Sequence, residues 1–359
     1  MTKKIKKILY ILLIPCFSFT IISCAAINST TIAIGALGGT AAYLYKDDIR
    51  PWFDDFTKES DETGKTNVQL EKTTITTSSE KLPSFRFLFV SVGDSGTILT
   101  SSDGTTWTSR TSGTTEKLRG GAYGNNTLVV VGFSGTTLTS SDGTKWTKRK
   151  SGTKNNLGSV TYGNSTFIAV GNSGTILTSS DGTKWTKRKS GTKNSLYGVT
   201  YGNNIFVAVG KKGTILTSSD GTEWTKRKSR TSVEFNEVIY GNSTFVAFGY
   251  SGTILTSSDA TTWTSRTSGT SYVLPGGTYG NSIFVTVGDI GTILASSDAT
   301  TWTSRTSGTS NKLRGVTYGN STFVAVGKSG TILTSSNATT WTSRTSGTTE
   351  HLRRVTYKE

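Results

Sequence analysis

Residues 96–115 read GTILTSSDGTTWTSRTSGTT, and most of this stretch returns six more times before the chain ends at residue 359. The aromatic residues of the repeat keep a fixed interval of 39 residues. They are Trp107, Trp146, Trp185, Trp224, Trp263, Trp302 and Trp341, with Tyr123, Tyr162, Tyr201, Tyr240, Tyr279, Tyr318 and Tyr357 in step. Such a period indicates a repeat architecture in which each unit packs on its neighbours.

Each repeat contains four short runs of strand character, which we name strands A, B, C and D. In one copy they read LYGVTYGN (196–203), IFVAVG (205–210), GTILTSSD (213–220) and TEWTKRKS (222–229). Gly-Asn and Asp-Gly pairs between the runs suit hairpin turns, which need a positive φ. A four-stranded meander in seven copies predicts an all-β, seven-bladed β-propeller. A β-solenoid is the alternative.

The two ends of the repeat region favour a closed ring. The first repeat starts at strand B, near Phe87, and the chain finishes with LRRVTYKE (352–359), a strand A that lacks its own strand B. The last strand would therefore complete the first blade, which removes the exposed edges of an open array.

The N-terminus reads as an export signal. Four lysines precede the apolar run ILYILLIPCFSFTII, and Ile21–Cys24 resembles the lipobox of bacterial lipoproteins. This resemblance implies a signal peptide over residues 1–23 and lipidation of Cys24. Cleavage after Ala26 and an uncleaved anchor are the alternatives. We expect an extracytoplasmic, lipid-anchored protein of the bacterial envelope, at the outer membrane or the cell surface.

Residues 24–84 form a predicted tether before the propeller domain of residues 85–359. Its apolar, glycine-rich part, residues 32–45, is short for a membrane span, and we interpret it as a membrane-proximal helix or a flexible spacer. Residues 46–84 carry six Lys/Arg and nine Asp/Glu, a net of −3, whereas residues 85–359 carry 29 and 14, a net of +15. The basic domain favours an acidic partner only weakly, since net charge governs encounter more than identity.

The stretch VGNSGTILTSSDGTKW (170–185) resembles the repeats of the photosystem II stability/assembly factor family and, more distantly, the Asp-box (BNR) repeats of bacterial sialidases. It departs from the Asp-box pattern because glycine follows the aspartate directly. We expect the repeated Asp or Asn to cap the C–D turn and the tryptophan to pack between blades. These structural positions are Asp103, Asp142, Asp181, Asp220, Asp259, Asp298 and Asn337.

The copies differ mainly in the B–C turn and in the D-to-A crossing between blades. In an up-and-down meander these connections share one end of the strands, so we predict one uniform face and one variable face. Cations cluster in blades 7, 1 and 2, whereas blades 5 and 6 offer an apolar sector with two acids, which favours a binding surface over unconstrained drift of the loops. The predicted partner-binding residues are Arg119, Arg314, Arg353, Arg354, Lys117, Lys312, His351, Phe133, Tyr197, Tyr250, Tyr272 and Phe235.

A second basic feature lies on strand D. Blades 2, 3 and 4 read Trp-Thr-Lys-Arg-Lys, whereas blades 1, 5, 6 and 7 read Trp-Thr-Ser-Arg-Thr. Charged residues on an edge strand usually prevent strand-to-strand aggregation. A flank that faces a polyanion is the other interpretation.

Residues with catalytic chemistry are few. The chain has one histidine, Cys16 lies in the predicted signal peptide and Cys24 would carry lipid, so we expect no metal site, no cofactor and no Cys-His dyad. The sialidase resemblance implies three arginines that hold a carboxylate, and Arg119, Arg314 and Arg353 could supply them. An acid/base group would be Asp94, Glu116 or Glu350.

Two features argue against the sialidase interpretation. Only Phe85-Arg86 remains of the Phe-Arg-Ile-Pro signature, and the sialidase ring has six blades. We therefore predict a protein that binds rather than catalyses. The assembly-factor resemblance implies an envelope membrane protein or complex as partner. An adhesin that binds an anionic glycan or host protein is the alternative, and no specific nucleic acid is expected.

Overall fold

The computed structural model describes residues 31–34, 42–45 and 88–358. The chain divides into two compact units, Met1–Glu80 and Lys81–Glu359. In the first unit, β1 (Thr31–Ile34) pairs antiparallel with β2 (Ala42–Tyr45), in a register that joins Thr31 to Tyr45. The residues described in the segment 32–45 are extended, so they do not match the membrane-proximal helix, which was one of its two interpretations. Alternating Thr, Ile and Tyr favour strands, and the glycines between them disfavour a helix.

No helix among the described residues has the length and apolar character needed to cross a membrane. The lipobox and Cys24 lie outside the described residues, as do the predicted boundaries at residues 23 and 84.

The second unit is a ring of seven four-stranded antiparallel sheets, so the predicted seven-bladed propeller is confirmed. Blade 1 contains β3 (Leu88–Gly93), β4 (Ile98–Ser101), β5 (Thr108–Arg110) and β30 (Leu352–Lys358), and blade 2 contains β6 (Leu118–Gly124), β7 (Thr127–Gly132), β8 (Thr137–Ser140) and β9 (Thr147–Arg149). Blade 3 contains β10 (Leu157–Gly163), β11 (Thr166–Gly171), β12 (Thr175–Ser179) and β13 (Thr186–Arg188), and blade 4 contains β14 (Leu196–Gly202), β15 (Ile205–Gly210), β16 (Ile215–Ser218) and β17 (Thr225–Arg227). Blade 5 contains β18 (Phe235–Gly241), β19 (Thr244–Gly249), β20 (Ile254–Ser257) and β21 (Thr264–Arg266), blade 6 contains β22 (Gly276–Gly280), β23 (Ile283–Val287), β24 (Ile293–Ser296) and β25 (Thr303–Arg305), and blade 7 contains β26 (Leu313–Gly319), β27 (Thr322–Gly327), β28 (Ile332–Ser335) and β29 (Thr342–Arg344).

The C-terminal strand closes the ring as predicted. Strand β30 is the innermost strand of blade 1, in the order β30-β3-β4-β5, and its register joins Lys358 to Leu88. Lys358 stands where the other blades carry glycine. Its Nζ atom donates to the carbonyl of Ser141 at 2.8 Å and lies 5.3 Å from the ring centre of Tyr123 in blade 2. The last strand therefore fastens the seam through backbone pairing and one cation–π contact.

The core lies between neighbouring blades. Strands A, B and C contribute buried aliphatic and phenylalanine side chains from two blades to each cluster; one cluster joins Val324 and Val326 of blade 7 to Phe89 and Leu99 of blade 1. Trp107 packs on this cluster and donates its Nε1 hydrogen to the carbonyl of Gly104 at 3.0 Å, as the sequence predicts for the repeat tryptophan. All seven clusters lie within residues 88–358, so we expect unit Lys81–Glu359 to fold by itself.

Each B–C connection is a three-residue 3-10 turn with one conformation in all blades. Its middle residue has a φ of 52–55° in every copy. In blade 6 this residue is Ile290, a β-branched side chain in the left-handed region, where such residues are rare. The turns are Asp94–Gly96, Phe133–Gly135, Asn172–Gly174, Lys211–Gly213, Tyr250–Gly252, Asp289–Gly291 and Lys328–Gly330.

The two faces of the ring have separate sets of connections. On one face the A–B turn meets the next blade's C–D turn, and Asn125 Nδ2 donates to the carbonyl of Ser180 at 3.3 Å. On the other face the B–C turn meets the D-to-A crossing, and the N–H of Gly252 donates to the carbonyl of Tyr272 at 2.8 Å. The first is the uniform face and the second the variable face.

Candidate functional site

A β-bulge aims one residue of each inner strand at the channel mouth on the variable face. In blade 2, Leu118 pairs with Gly132 and Gly120 with Val131, so Arg119 is the extra residue between them. The same shift occurs in five other blades, and in blade 6 the equivalent Pro275 precedes the strand. Bulges of this kind redirect side chains at the end of a sheet.

The six bulge residues and Pro275 line one cavity of about 240 Å³, which we name the channel-mouth basin. The structure thus brings together all four arginines that the sequence analysis selected, from blades 1, 2 and 7. Glu234 and Tyr250 complete the wall. The lining residues are Arg119, Gly158, Tyr197, Glu234, Asn236, Tyr250, Pro275, Arg314, Arg353 and Arg354.

Two basin arginines are crowded without a carboxylate partner. Within residues 88–358, neither Arg119 nor Arg314 forms an ion pair. Burial, followed by the charges of Arg353 and Arg314, lowers the pKa of Arg119 to about 10; burial and Arg353 also lower the pKa of Arg314. The guanidinium of Arg119 lies 5.2 Å from the ring centre of Phe133, and Arg314 Nε is buried without a hydrogen-bond partner. The charge of Asp94 acts on both arginines and that of Asp289 on Arg314, but neither carboxylate forms an ion pair with them, so both side chains remain available to an anionic ligand.

Arg353, by contrast, is already paired. Its Nε and Nη2 atoms donate to the two oxygens of Asp94 at 2.7 and 2.6 Å, a bidentate contact within blade 1. Burial raises the pKa of Asp94, but the hydrogen bonds and charge of Arg353 outweigh it, and the pKa lies below its ordinary value. Asp94 is thus ionised at neutral pH and holds Arg353 in place.

Arg354 is also paired, with a residue on the opposite side of the ring. Its Nη1 atom forms an ion pair with Glu237 Oε2 of blade 5, across the central channel. Both residues occupy the position after the bulge, which is Gly120, Gly198, Gly276 and Gly315 in four other blades and Ser159 in the fifth.

The glycines at this level allow the inner strands of neighbouring blades to approach closely. A Cβ atom on Gly198 would lie 2.8 Å from the Cα of Glu237, so the backbones approach closely at this level. Burial raises the pKa of Glu237, and the charge of Arg354 limits the rise. Sequence analysis assigned Arg354 to the partner and missed the pairing, because two residues 117 positions apart face each other only in a closed ring.

The other predicted cations make local contacts around the basin. Lys312 forms an ion pair with Asp289 of blade 6, and Lys117 Nζ lies 5.8 Å from the ring centre of Phe133. His351 Nδ1 accepts a hydrogen bond from the N–H of Ser329 at 3.1 Å. Asn156 Oδ1 accepts from Ser134 at the equivalent place, so His351 links two blades. Its role is shared with an amide and does not depend on a charged imidazole.

The apolar sector is smaller than predicted and partly different. Phe235 does not lie on the variable face; it is fully buried between blades 4 and 5, because it occupies the position of the core leucines such as Leu196. Three large hydrophobic side chains are exposed within residues 88–358, and all lie on the variable face of blades 5 and 6: Tyr250 (45%), Tyr272 (42%) and Ile290 (59%). Sequence analysis missed Ile290 because it compared the first residue of each B–C turn, and Ile290 is the middle residue, which is serine in five of the other blades.

The basin wall contains one more hydrogen-bond donor without a partner, on Asn236. Asn236 Nδ2 in the basin wall is buried without a hydrogen-bond partner, as is Arg314 Nε in the same wall. Buried donors without partners are rare in folded proteins. Together with Arg119 they can bind the oxygens of one small anionic group, such as a carboxylate, while Tyr250 contacts an adjoining apolar group.

The predicted caps of the C–D turns are confirmed. In blade 3, Asp181 Oδ1 accepts from the N–H groups of Thr183 and Lys184 at 2.8 and 3.3 Å, and its Oδ2 accepts from the Thr183 hydroxyl at 2.5 Å. The hydroxyl and backbone hydrogen bonds of these turns lower the pKa of Asp181 and of Asp220 to about 2. In blade 7, Asn337 accepts the same two backbone bonds at 2.9 and 3.0 Å.

A sialidase-like constellation is not assembled at the basin. Glu116 and Glu350 line the outer grooves of blades 1 and 7, among Ser and Thr residues of the D strands, and neither lines the basin. Asp94 lies with the arginines, but as an ionised partner of Arg353 it is not poised to donate a proton.

Comparisons with known proteins agree with this fold. The DUF6242 beta propeller domain, a protein family, matches residues 123–234, from the end of β6 to the crossing that follows blade 4. The structure of YCF48 bound to D1 peptide matches with a TM-score of 0.55 and 18% identity, covering 67% of this chain and 85% of that one. This chain therefore shares the β-propeller fold of YCF48.

Two further structures extend the likeness. YCF48 from Cyanidioschyzon merolae matches with a TM-score of 0.54 and 16% identity, over 66% of this chain and 87% of that one. The computationally designed Ika8 protein matches with a TM-score of 0.51 and 12% identity, over 91% and 94%. No curated protein sequence matches the chain. At these identities the likeness concerns the fold.

Proposed function

We propose that the chain is a non-catalytic, lipid-anchored scaffold that binds a membrane protein or complex of the cell envelope and supports its assembly or stability. The observation that carries this proposal is the channel-mouth basin, where Arg119 and Arg314 stand without carboxylate partners beside the exposed Tyr250. Arginine and tyrosine are the residue types that dominate protein–protein binding energy.

The dimensions of the basin favour a protein over a free small molecule. A cavity of about 240 Å³ accepts one anionic side chain or chain end, and the exposed Tyr272 and Ile290 extend the contact surface beyond it. A ligand that used both regions would span blades 5, 6, 7, 1 and 2. The solved structure of YCF48 bound to D1 peptide supports this class of partner by analogy of fold.

Lipid anchoring at Cys24 is the other part of the proposal and has its own test. Incorporation of a labelled fatty acid by the whole chain, lost in Cys24→Ser, is expected. Incorporation that persists in Cys24→Ser would reject this attachment site.

The binding role is tested by capture from detergent-solubilised envelope. The bait is residues 81–359, compared with the variant R119N/R314N, which places at both positions the residue that blade 5 carries as Asn236. The ion-paired Arg353 and Arg354 are left unchanged, so no carboxylate is orphaned. The matched control is K148S/K187S, which removes the same charge from the outer strands.

We expect one stoichiometric membrane protein in the wild-type and control captures, and a loss of at least about tenfold in R119N/R314N, since each charge-assisted pair contributes roughly 1.5–3 kcal/mol. Equal capture by all three would reject the basin as the site. Capture of an anionic glycan in place of any protein would favour the adhesin alternative.

A further inference from the structure

Eight exposed lysines lie on or beside the outermost strands of three adjacent blades. Strands β9, β13 and β17 end the sheets of blades 2, 3 and 4, so they lie at the outer circumference of the ring. We name this surface the lysine rim. Its members, all exposed, are Lys145, Lys148, Lys150, Lys184, Lys187, Lys189, Lys226 and Lys228.

The remaining four blades show that these lysines are not needed to build the edge. The position of Lys148 is Ser109 in blade 1, and strands β5 and β9 have the same length of three residues. The arginine beside it makes the same bond in both: Arg110 Nε donates to Thr100 and Arg149 Nε to Thr139, each at 2.8 Å. Edge protection alone would apply equally to all seven blades. The lysines are therefore specific to blades 2, 3 and 4 and are not a requirement of the blade fold.

Among the residues described, no rim lysine forms an ion pair, and the rim lysines outnumber the acidic residues of the same turns, which are Asp142, Asp181, Asp220 and Glu223. The ion pairs within residues 88–358 join Lys211 to Glu234, Lys312 to Asp289, Arg353 to Asp94 and Arg354 to Glu237, all at the variable face or in the channel. None involves a rim lysine, and one acidic residue, Glu223, takes the place of Lys145 in blade 4. Like charges held together without partners raise the local potential and attract an anionic surface.

The shape of the rim and its residue type restrict the partner. The outer circumference of a closed ring is convex, so it meets a broad surface along an arc rather than enclosing a ligand. Lysine is a flexible, strongly hydrated point charge, whereas arginine suits bidentate recognition. The exposed large aromatic side chains lie on blades 5 and 6, away from the rim. The tryptophans beside the rim lysines, Trp146, Trp185 and Trp224, are half-buried and pack on the core clusters, which makes them poor platforms for stacking nucleotide bases.

We propose that the lysine rim docks the propeller on the surface of an anionic phospholipid bilayer. Lysines near such a surface attract it through a diffuse electrostatic field that needs no fixed geometry. Docking through the circumference sets the ring on edge, which leaves the variable face with its basin open to a partner in the same membrane. The proposal does not depend on the basin being a binding site.

The test is sedimentation of residues 81–359 with phosphatidylcholine vesicles that contain or lack phosphatidylglycerol. The rim variant is K148S/K187S/K226S, which installs the serine found in blades 1, 5, 6 and 7. The control variant is K211N/K212S/K328N, which removes the same charge from the variable face and installs residues that other B–C turns carry. Melting temperatures establish that all three proteins are folded.

We expect wild type to bind vesicles only when phosphatidylglycerol is present, and the rim variant to bind on the order of a hundredfold more weakly. The control variant should stay within about threefold of wild type, because its lysines lie in B–C turns on the variable face and not on the outermost strands. Equal losses in the two variants would overturn the rim as the docking surface.

Duplex DNA and a sulfated glycan serve as competing polyanions of similar charge density. If the protein bound either polyanion more tightly than it binds the anionic vesicles, and if the rim variant lost that binding, the lipid assignment would be overturned. R119N/R314N leaves the rim intact, so it should bind anionic vesicles as wild type does. The basin proposal and the rim proposal can therefore be rejected independently of each other.

Discussion

The uniform and variable faces are built on the same backbone but carry different kinds of sequence. On the uniform face, the C–D turn is capped in every blade by Asp or by Asn337, and the cap is bonded to the turn it closes. On the variable face, the first residue of the B–C turn ranges from Asp94 to Phe133 and Tyr250, yet the turn conformation is constant. The backbone therefore does not dictate these side chains.

The comparison separates residues that every blade needs in order to fold from residues that only some blades carry. Asp181 or Trp107 would serve equally well in any blade. Arg119, Arg314 and Ile290 serve no contact that every blade needs, since other blades have glycine, tyrosine, asparagine or proline in place of the arginines and serine or lysine in place of the isoleucine. This difference is the physical basis for locating function on the variable face, and the following measurements test it.

The largest expected effect concerns the ion pair that crosses the channel. Changing Glu237 to Gly leaves Arg354 without its partner in a largely buried position, and we expect the free energy of unfolding to fall by about 3 kcal/mol. Urea denaturation of residues 81–359 measures it.

The double variant E237G/R354G is the matched control, because glycine is the residue of four other blades at this level. We expect it to recover to within about 1 kcal/mol of wild type. If E237G alone were neutral, the pair would be solvated and the channel open, contrary to the structure.

The next effect concerns the uniform face. Asp181→Ala removes the acceptor of two backbone N–H groups and two hydroxyls, and we expect a loss of roughly 1–2 kcal/mol. Asp181→Asn should cost much less, since blade 7 closes the same turn with Asn337. Thermal and urea unfolding check both variants. Equal damage by Ala and Asn would show that the carboxylate has a role beyond capping.

The strained turn of blade 6 gives a smaller effect of opposite sign. Ile290 has a φ of 52° and is 59% exposed, so little burial is lost when it is replaced. Ile290→Gly should raise the free energy of unfolding by about 1 kcal/mol because glycine adopts this φ without strain. If it weakens partner capture at the same time, the isoleucine serves binding at a cost in stability. A loss of stability instead would mean that Ile290 packs on the ring.

The smallest effect is the contribution of a single cap to acid sensitivity. Because the pKa of Asp181 is lowered from 3.8 to about 2, its stabilisation is complete above its ordinary pKa and is lost as the pH falls towards 2. Asp181→Asn should therefore lose less stability than wild type between pH 4 and 2, as the urea midpoint across this range reports. Identical pH profiles would contradict the lowered pKa.

The ring itself could be predicted from sequence because its causes are local and repeated. Hairpin turns, alternating strands and a constant interval define each blade, and the unmatched end strands define closure. Phe235 was misplaced although a signal existed: it stands in the column of Leu118, Leu157 and Leu196, which the core requires. The pair of Arg354 and Glu237 had no such signal, since its geometry depends on which blades face each other across the channel.

The most direct measurement of the central claim places one photo-crosslinking amino acid on each face of the same blade. Position 197 lies in the basin wall, and position 203 lies in the A–B turn of the uniform face. In intact cells, the account predicts one discrete protein adduct from position 197 and none from position 203. Adducts from position 203 alone would contradict it and move the binding site to the uniform face.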